Sequence, residues 1–236
     1  MQKSAKYTGP NELLVRLSQR DYGLLAPHLV AVDLPLRKHL ARRGRNITAA
    51  YFVEDGIASV VAHGRVGAGV ELGLIGRDGM SGAAVLLGAD RATYDIYMQI
   101  AGDGQCMKIS ALKRCTAESE SLLRALLKYS HAFSVQVAHT AMINAKSKVE
   151  ERLARWLLVA HDRLAGDQIP LTHEFLATML GVRRPGVTVA LHDLEQRGLI
   201  QPGRGSITII DRKGLVQAAN GAYGTGEAEL GRLLGR

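Results

Sequence analysis

The 236-residue chain is poor in cysteine and in aromatic side chains: it has two cysteines, Cys106 and Cys115, and an aromatic content of 5%. Two thiols are too few for a four-cysteine metal cluster or a disulfide framework, so both are expected as buried apolar groups in a reducing cytoplasm. No run of about 18 apolar residues exists to span a membrane, and residues 1–17 lack the continuous apolar core of a signal peptide. The expectation is therefore a soluble, cytoplasmic chain without a membrane partner. Ser/His/Asp, paired-carboxylate and metal-ligand spacings are also absent, so no catalytic residue, metal or cofactor is expected, and the chain does not read as an enzyme. Nor does any repeat recur at a solenoid period. Acidic residues are the minority charge, 22 against 30 Lys+Arg, giving a formal net charge of +8. That balance attracts polyanions through screened Coulomb fields and counterion release. With 47% hydrophobic residues the chain can still bury substantial cores.

What is present is most specific between Leu171 and Ile210. Thr172 suits an N-cap, Glu174 adds negative charge to a first turn, and Phe175, Leu176 and Leu180 supply an apolar stripe that Gly181 ends. Arg183 and Arg184 open a second helix beside Pro185, which a first turn tolerates. Val187, Leu191 and Leu194 follow at helical spacing and leave Arg183, Arg184, Thr188 and His192 on the outer face, with Gly198 as the closing left-handed residue. A hairpin follows: Leu199-Ile200, a tip at Pro202-Gly203-Arg204-Gly205-Ser206, and the β-branched return Ile207 to Ile210. Two short helices, a tight turn and a hairpin form a winged helix-turn-helix, a unit that places one helix in a DNA groove. Packing alone requires neither the cationic helix start nor the cationic wing.

Upstream, from Val30 to Ile109, short β-type runs alternate with glycine turns and suggest a β-roll or barrel. The runs are Tyr51 to Val53, Ile57 to Ala62, Val70 to Ile75, Val85 to Leu87 and Tyr94 to Ile100. Turns are read at Glu54-Asp55-Gly56, Arg77-Asp78-Gly79 and Gly102-Asp103-Gly104. The basic segment Leu36 to Arg45 reads as a solvated face and is assigned no site. Gly67-Ala68-Gly69 to Gly73 has part of the spacing of a dinucleotide loop, but both flanks read as strand, so a glycine-rich hairpin is expected instead. From Glu118 to Ser147 the pattern is helical, with Leu122, Leu126, Tyr129, Phe133, Val137 and Ala141 recurring at three- and four-residue intervals. Either the β-unit or a second copy could cover this stripe. Small residues such as Ala138 and Ala141 favour a two-fold helix pair, and the six stripe residues are the expected dimer interface. A further helix carries Val149, Leu153, Trp156, Leu157, Ala160 and Leu164 on one face and ends at Gly166-Asp167.

Roll, long helix and winged helix-turn-helix in this order resemble the Crp/Fnr family of bacterial transcription regulators. The likeness is strongest at Gly181-Val182-Arg183-Arg184-Pro185-Gly186-Val187, Leu191, Leu194-Glu195 and Gly198-Leu199-Ile200, and at Tyr51 to Gly56. The resemblance implies an α+β chain divided into a cyclic-nucleotide-binding-like roll (1–117), a dimerisation helix (118–147) and a DNA reader (148–236). It also implies a homodimer on a palindromic operator in double-stranded DNA, with RNA polymerase as a further candidate partner. By it, Arg184 takes the base-reading place, Thr172 and His173 take phosphate-contacting places, and Arg204 lies on the wing; Arg183, Gly186, Thr188 and His192 complete the expected DNA-binding set. Pro185 stands where a glutamate often occurs and Val189 where a second arginine does, so a different operator is expected.

In cyclic-nucleotide-binding relatives a Gly-Glu pair and an Arg-Ser or Arg-Thr pair cradle the ribose and cyclic phosphate. Gly82-Ala83 and Arg91-Ala92 stand there in this chain, and Val137-Ala138 falls at the adenine-contacting place without hydroxyls. The expected pocket has therefore lost its cyclic AMP residues and takes an unknown small-molecule effector. Two cysteines also exclude the iron–sulfur cluster of the oxygen-sensing branch. The alternative from another class is a small-molecule or cyclic-nucleotide sensor whose winged helix mediates protein interaction.

Overall fold

The computed structural model describes residues 6–64 and 69–234. In chain order the elements are α1 (Glu12–Val15), α2 (Gln19–Leu25), β1 (Val30–Leu34), β2 (His39–Ala41), β3 (Ala49–Val53), β4 (Ile57–Ala62), β5 (Val70–Ile75) and β6 (Met80–Ser81). A 3-10 turn (Ala83–Leu87), β7 (Asp95–Ile100), β8 (Gly102–Lys108), α3 (Ile109–Glu118), α4 (Glu120–Lys146) and α5 (Val149–His161) come next. The chain then forms β9 (Gln168–Pro170), α6 (His173–Leu180), α7 (Arg184–Gln196), β10 (Ile200–Gly203), β11 (Ser206–Ile209), α8 (Arg212–Ala218) and α9 (Thr225–Leu234). The expected α+β order of roll, long helix and winged helix-turn-helix is what the chain adopts.

Two four-stranded antiparallel sheets make the roll, in the orders β1-β8-β3-β6 and β2-β7-β4-β5. Leu34 and Val53 of the first meet Leu40, Ala58, Val60, Ile75 and Met98 of the second in one apolar cluster, so the sheets pack face to face. The turn after β3 needs Gly56: its φ is +81°, and a Cβ there would come within 2.5 Å of the Ile100 carbonyl oxygen. Two local expectations change in this unit. Val85 to Leu87 is not a strand; left-handed Gly82 and Gly88, at φ +85° and +92°, bracket a 3-10 turn that buries Val85 and leaves Leu87 exposed. Gly102-Asp103-Gly104 is not a turn but the start of β8. Its glycines permit the close approach of neighbouring backbone, since a Cβ on Gly102 would meet Asp55 O at 2.1 Å and one on Gly104 would meet Phe52 O at 2.3 Å. The glycine-rich stretch 67–73 lies partly outside the described residues, and from Val70 it is β5.

The long helix α4 begins at Ser119, whose hydroxyl accepts from Leu122 N at 3.3 Å, and its apolar stripe is the largest correction to the sequence reading. Leu122, Leu126 and Tyr129 are buried inside the chain's own second core with Leu13, Leu14, Phe52, Met80 and Leu112, and Phe133 packs against that core from its edge. The Tyr129 hydroxyl donates to Met80 O at 2.9 Å and Gln136 Oε1 accepts from Leu74 N at 2.6 Å, fastening this face to the roll. Leu122, Leu126, Tyr129 and Phe133 thus face inward and are not presented to a second copy. Val137 is half-buried on the same side. Ala141, with Ala138 and Met142, is exposed. Periodicity revealed an apolar face, and the roll, the nearer of the two surfaces able to cover it, does so.

Residues of α5 to α8 share a third core in which Leu153, Leu157, Leu176, Val187, Leu194, Ile207 and Leu215 are fully or nearly fully buried. Ile57, Leu74 and Ile100 of the roll belong to this core as well, so apolar contact is continuous from sheet to reader. The wing is a three-stranded sheet, β10-β11-β9, in which β11 also pairs with β9. Among the described residues no helix is long and apolar enough to cross a membrane.

Candidate nucleic-acid interface and effector cavity

Thr172 caps α6, its Oγ1 accepting from Phe175 N at 3.4 Å, and Gly181 closes that helix at φ +60°. Arg183 is the N-cap of α7, and Arg184 and Pro185 form its first turn. Val187, Ala190, Leu191 and Leu194 anchor α7 in the core, which turns Arg183, Arg184, Pro185, Thr188, Val189 and His192 outward as one exposed face; Gly186 lies half-buried between the two. Thr188 Oγ1 donates back to Arg184 O at 3.2 Å, and His192 Nε2 pairs with Gln196 at 2.9 Å. Arg204 is exposed on the wing turn next to Gly205, φ +77°, and the wing is tied to the start of α6 by Leu171 N donating to Gly205 O at 2.9 Å. The His173 side chain lies outside the described residues. Two cationic helix-start residues, a polar outer face and a cationic hairpin tip can meet phosphates and base edges together.

The second feature is a cavity of about 320 Å³ between the roll, the 3-10 turn and α4. Three of the four sequence-nominated pocket residues, Gly82, Ala83 and Ala92, line it. Arg91 does not: it is exposed, and its backbone makes an isolated bridge with Asn46. The other lining includes Val60, Ile75, Met80, Ser81, Tyr129, Phe133 and Val137, and among the described residues none that lines it carries a charge. Ser81 and Phe133 are among the lining residues that the sequence reading did not nominate for this site. The only local hint was Ser81 preceding the nominated Gly82. Phe133, expected against a partner helix, is instead cavity wall, and Val137, read both as dimer stripe and as standing at the adenine-contacting place, lines the cavity as well.

Residues 151–218 match the Crp-like helix-turn-helix domain. That match makes the C-terminal unit a Crp-like helix-turn-helix, and over the rest of the chain the likeness to known proteins is one of fold. FixK2 from Bradyrhizobium japonicum has the same fold, with a TM-score of 0.70 at 16% identity over 80% of this chain and 96% of FixK2. A regulator assigned to the Crp/Fnr family from Eubacterium rectale gives 0.67 at 18% identity over 86% of this chain and 95% of its own. A CRP/FNR-family regulator of Thermus thermophilus gives 0.62 at 21% identity over 82% and 100%. No curated protein matches the chain.

The winged helix-turn-helix is fastened to the roll by buried polar contacts as well as apolar ones. Glu71 of β5, 4% exposed, accepts from Trp156 Nε1 of α5 at 2.8 Å and from the Ser59 hydroxyl of β4 at 2.7 Å, and Ser59 also touches Met179 of α6. Burial pushes the Glu71 carboxyl up to about 7, against the opposing pull of its Ser59 and Trp156 bonds and of Arg155 and Arg163. Arg163, just past α5, pairs with Asp78 at 2.7 Å with both side chains buried, and Arg77 Nη2 donates to Asp162 O at 3.0 Å. At the far end Arg212 and the Tyr223 hydroxyl both donate to Asp162, at 2.7 and 2.8 Å. Burial and that carboxylate push Tyr223 up to about 12. Cys106 is half-buried in β8. Cys115 is buried in α3 with Sγ 3.2 Å from Leu24 O, and burial raises both thiols above their ordinary values.

Proposed function

We propose that the chain acts as a homodimer on a palindromic operator, with α7 of each copy in successive major grooves and Arg204 against the flanking backbone. The observation that carries this reading is the outer face of α7. Arg183, Arg184, Thr188 and His192 share it, while Val187, Leu191 and Leu194 hold the helix rigidly from behind. Arg184 reads a base, and Thr172, His173 and Arg204 meet phosphates. We assign residues 1–117 to sensing, 118–147 to coupling and dimerisation, and 148–236 to DNA reading. Since the inner stripe of α4 is covered by the roll, the partner copy meets the exposed side that carries Ala138, Ala141 and Met142. RNA polymerase is the remaining partner of this reading.

Salt titration of binding to random duplex tests it. A dimer contacting phosphates loses affinity as a power of salt concentration, with a log–log slope near −0.9 for each phosphate neutralised. A slope near zero would overturn it in favour of a protein-interaction module. We assign the cavity to an effector other than cyclic AMP, because Ala83 offers no acceptor for a ribose hydroxyl and no cation lines the wall to meet a cyclic phosphate. Calorimetry giving a micromolar dissociation constant for cyclic AMP would contradict that assignment.

A further inference from the structure

We infer that the cavity between the 3-10 turn and α4 binds an uncharged, largely apolar small molecule that makes one hydrogen bond to Ser81. This rests on the reading that the nucleotide site is lost and gives it a positive content. The wall is aliphatic and aromatic: Val60, Ile75, Met80, Ile96 and Phe133 face the space, and no charged side chain among the described residues lines it. A carboxylate or phosphate entering would lose its hydration without a counter-charge, whereas an apolar body gains by leaving water. The volume, about 320 Å³, is at the small end of ordinary ligand sites.

Two further observations point to a ligand rather than to a packing flaw. Ser81 lines the cavity at 2% exposure, and its Oγ is a buried polar atom without a hydrogen-bond partner, a state that native interiors rarely tolerate unless a ligand or water completes it. The mouth is apolar too: Leu87, 68% exposed, and Tyr94, 41% exposed, are lining residues held at the surface. The wall behind them is braced by fixed contacts, Tyr129 to Met80 O and Gln136 to Leu74 N, so the space is maintained without an occupant. The same β5 that supplies Ile75 to the cavity carries Glu71 and abuts α6, so an occupant rests on the strand that holds the reader.

The probe is N-phenyl-1-naphthylamine, an uncharged fluorophore that brightens in apolar surroundings, titrated into the full chain at neutral pH. Saturable binding at one site per chain is expected, with displacement by 1-decanol and not by decanoate at equal concentration. Ser134→Trp, at the exposed rim of the cavity, should abolish that binding while leaving thermal melting unchanged. Ser81→Ala should weaken decanol by roughly three- to tenfold, the range of a single neutral hydrogen bond. Absence of saturable binding, decanoate competing as well as decanol, or both variants binding like the parent would overturn the inference. Displacement by micromolar cyclic AMP, itself an anion, would overturn both the reading that the nucleotide is no longer accepted and the restriction to uncharged ligands, whereas absence of saturable fluorophore binding without cyclic AMP binding would overturn this inference alone.

Discussion

Replacing Glu71 with glutamine isolates the contact that joins reader to roll. The amide can still accept from Trp156 Nε1 and still meet the Ser59 hydroxyl, but it cannot ionise. In the folded chain the carboxyl titrates at about 7 against an ordinary value of 4.5, because burial opposes its charge. A raised folded value means that the protonated form is the one favoured by folding. The associated stability is complete below about pH 4.5 and is lost as pH rises through 7, because the unfolded chain ionises first. Over that window the difference amounts to about 3 kcal/mol. Arg155 and Arg163 face Glu71 from α5 and just beyond it and reduce the shift, and Tyr97 faces it from β7. Urea unfolding followed by the fluorescence of Trp156, the chain's single tryptophan, measures this directly. The parent should lose about 3 kcal/mol relative to Glu71→Gln between pH 4.5 and 7 and run parallel to it above. Parallel profiles throughout that window would refute the reasoning.

Arg184→Ala should cost about 1–3 kcal/mol on the operator and flatten preference at one base pair per half-site, read by binding to single-substitution operators. An unchanged ratio of operator to random-duplex affinity would assign base reading elsewhere. Arg204→Ala should weaken all sequences alike and reduce the salt slope by about one for each phosphate that the variant no longer neutralises. Asp78→Ala leaves Arg163 buried without its ion-pair partner, so unfolding free energy should fall by about 3–5 kcal/mol, while a loss near zero would show that Arg163 can reach water.

The reader was legible in the sequence because its signals are local: Thr172 as cap, Gly181 and Gly198 as left-handed stops, and a three- and four-residue stripe that commits α7 to one orientation. The long helix was legible as a helix but not as to what it touches. An apolar stripe is equally consistent with a partner copy or the roll, and that choice depends on residues such as Phe52 and Met80 far away in the chain. Gly102 and Gly104 looked like a turn for a similar reason, since glycine serves close backbone approach as well as chain reversal, and only the neighbouring Asp55 and Phe52 backbone distinguishes the two. The short β9 carried no periodic signal, and neither did α9, which is interrupted by Gly226 and Gly231 and lies along α4. Gly82, Ala83 and Ala92, nominated from the sequence, do line the cavity beside α4. Its apolar character came from side chains on β4, β5, β7 and α4 that no local motif assembles.

The central claim is that α7 reads sequence as one half of a symmetric pair. Selecting fragments of genomic DNA bound by the full chain tests it most directly. The recovered fragments should share a two-fold-symmetric motif whose half-sites lie about 10–10.5 base pairs apart, or a multiple of that spacing. Recovery of fragments without a common motif, or of a motif with no two-fold symmetry, would contradict the account.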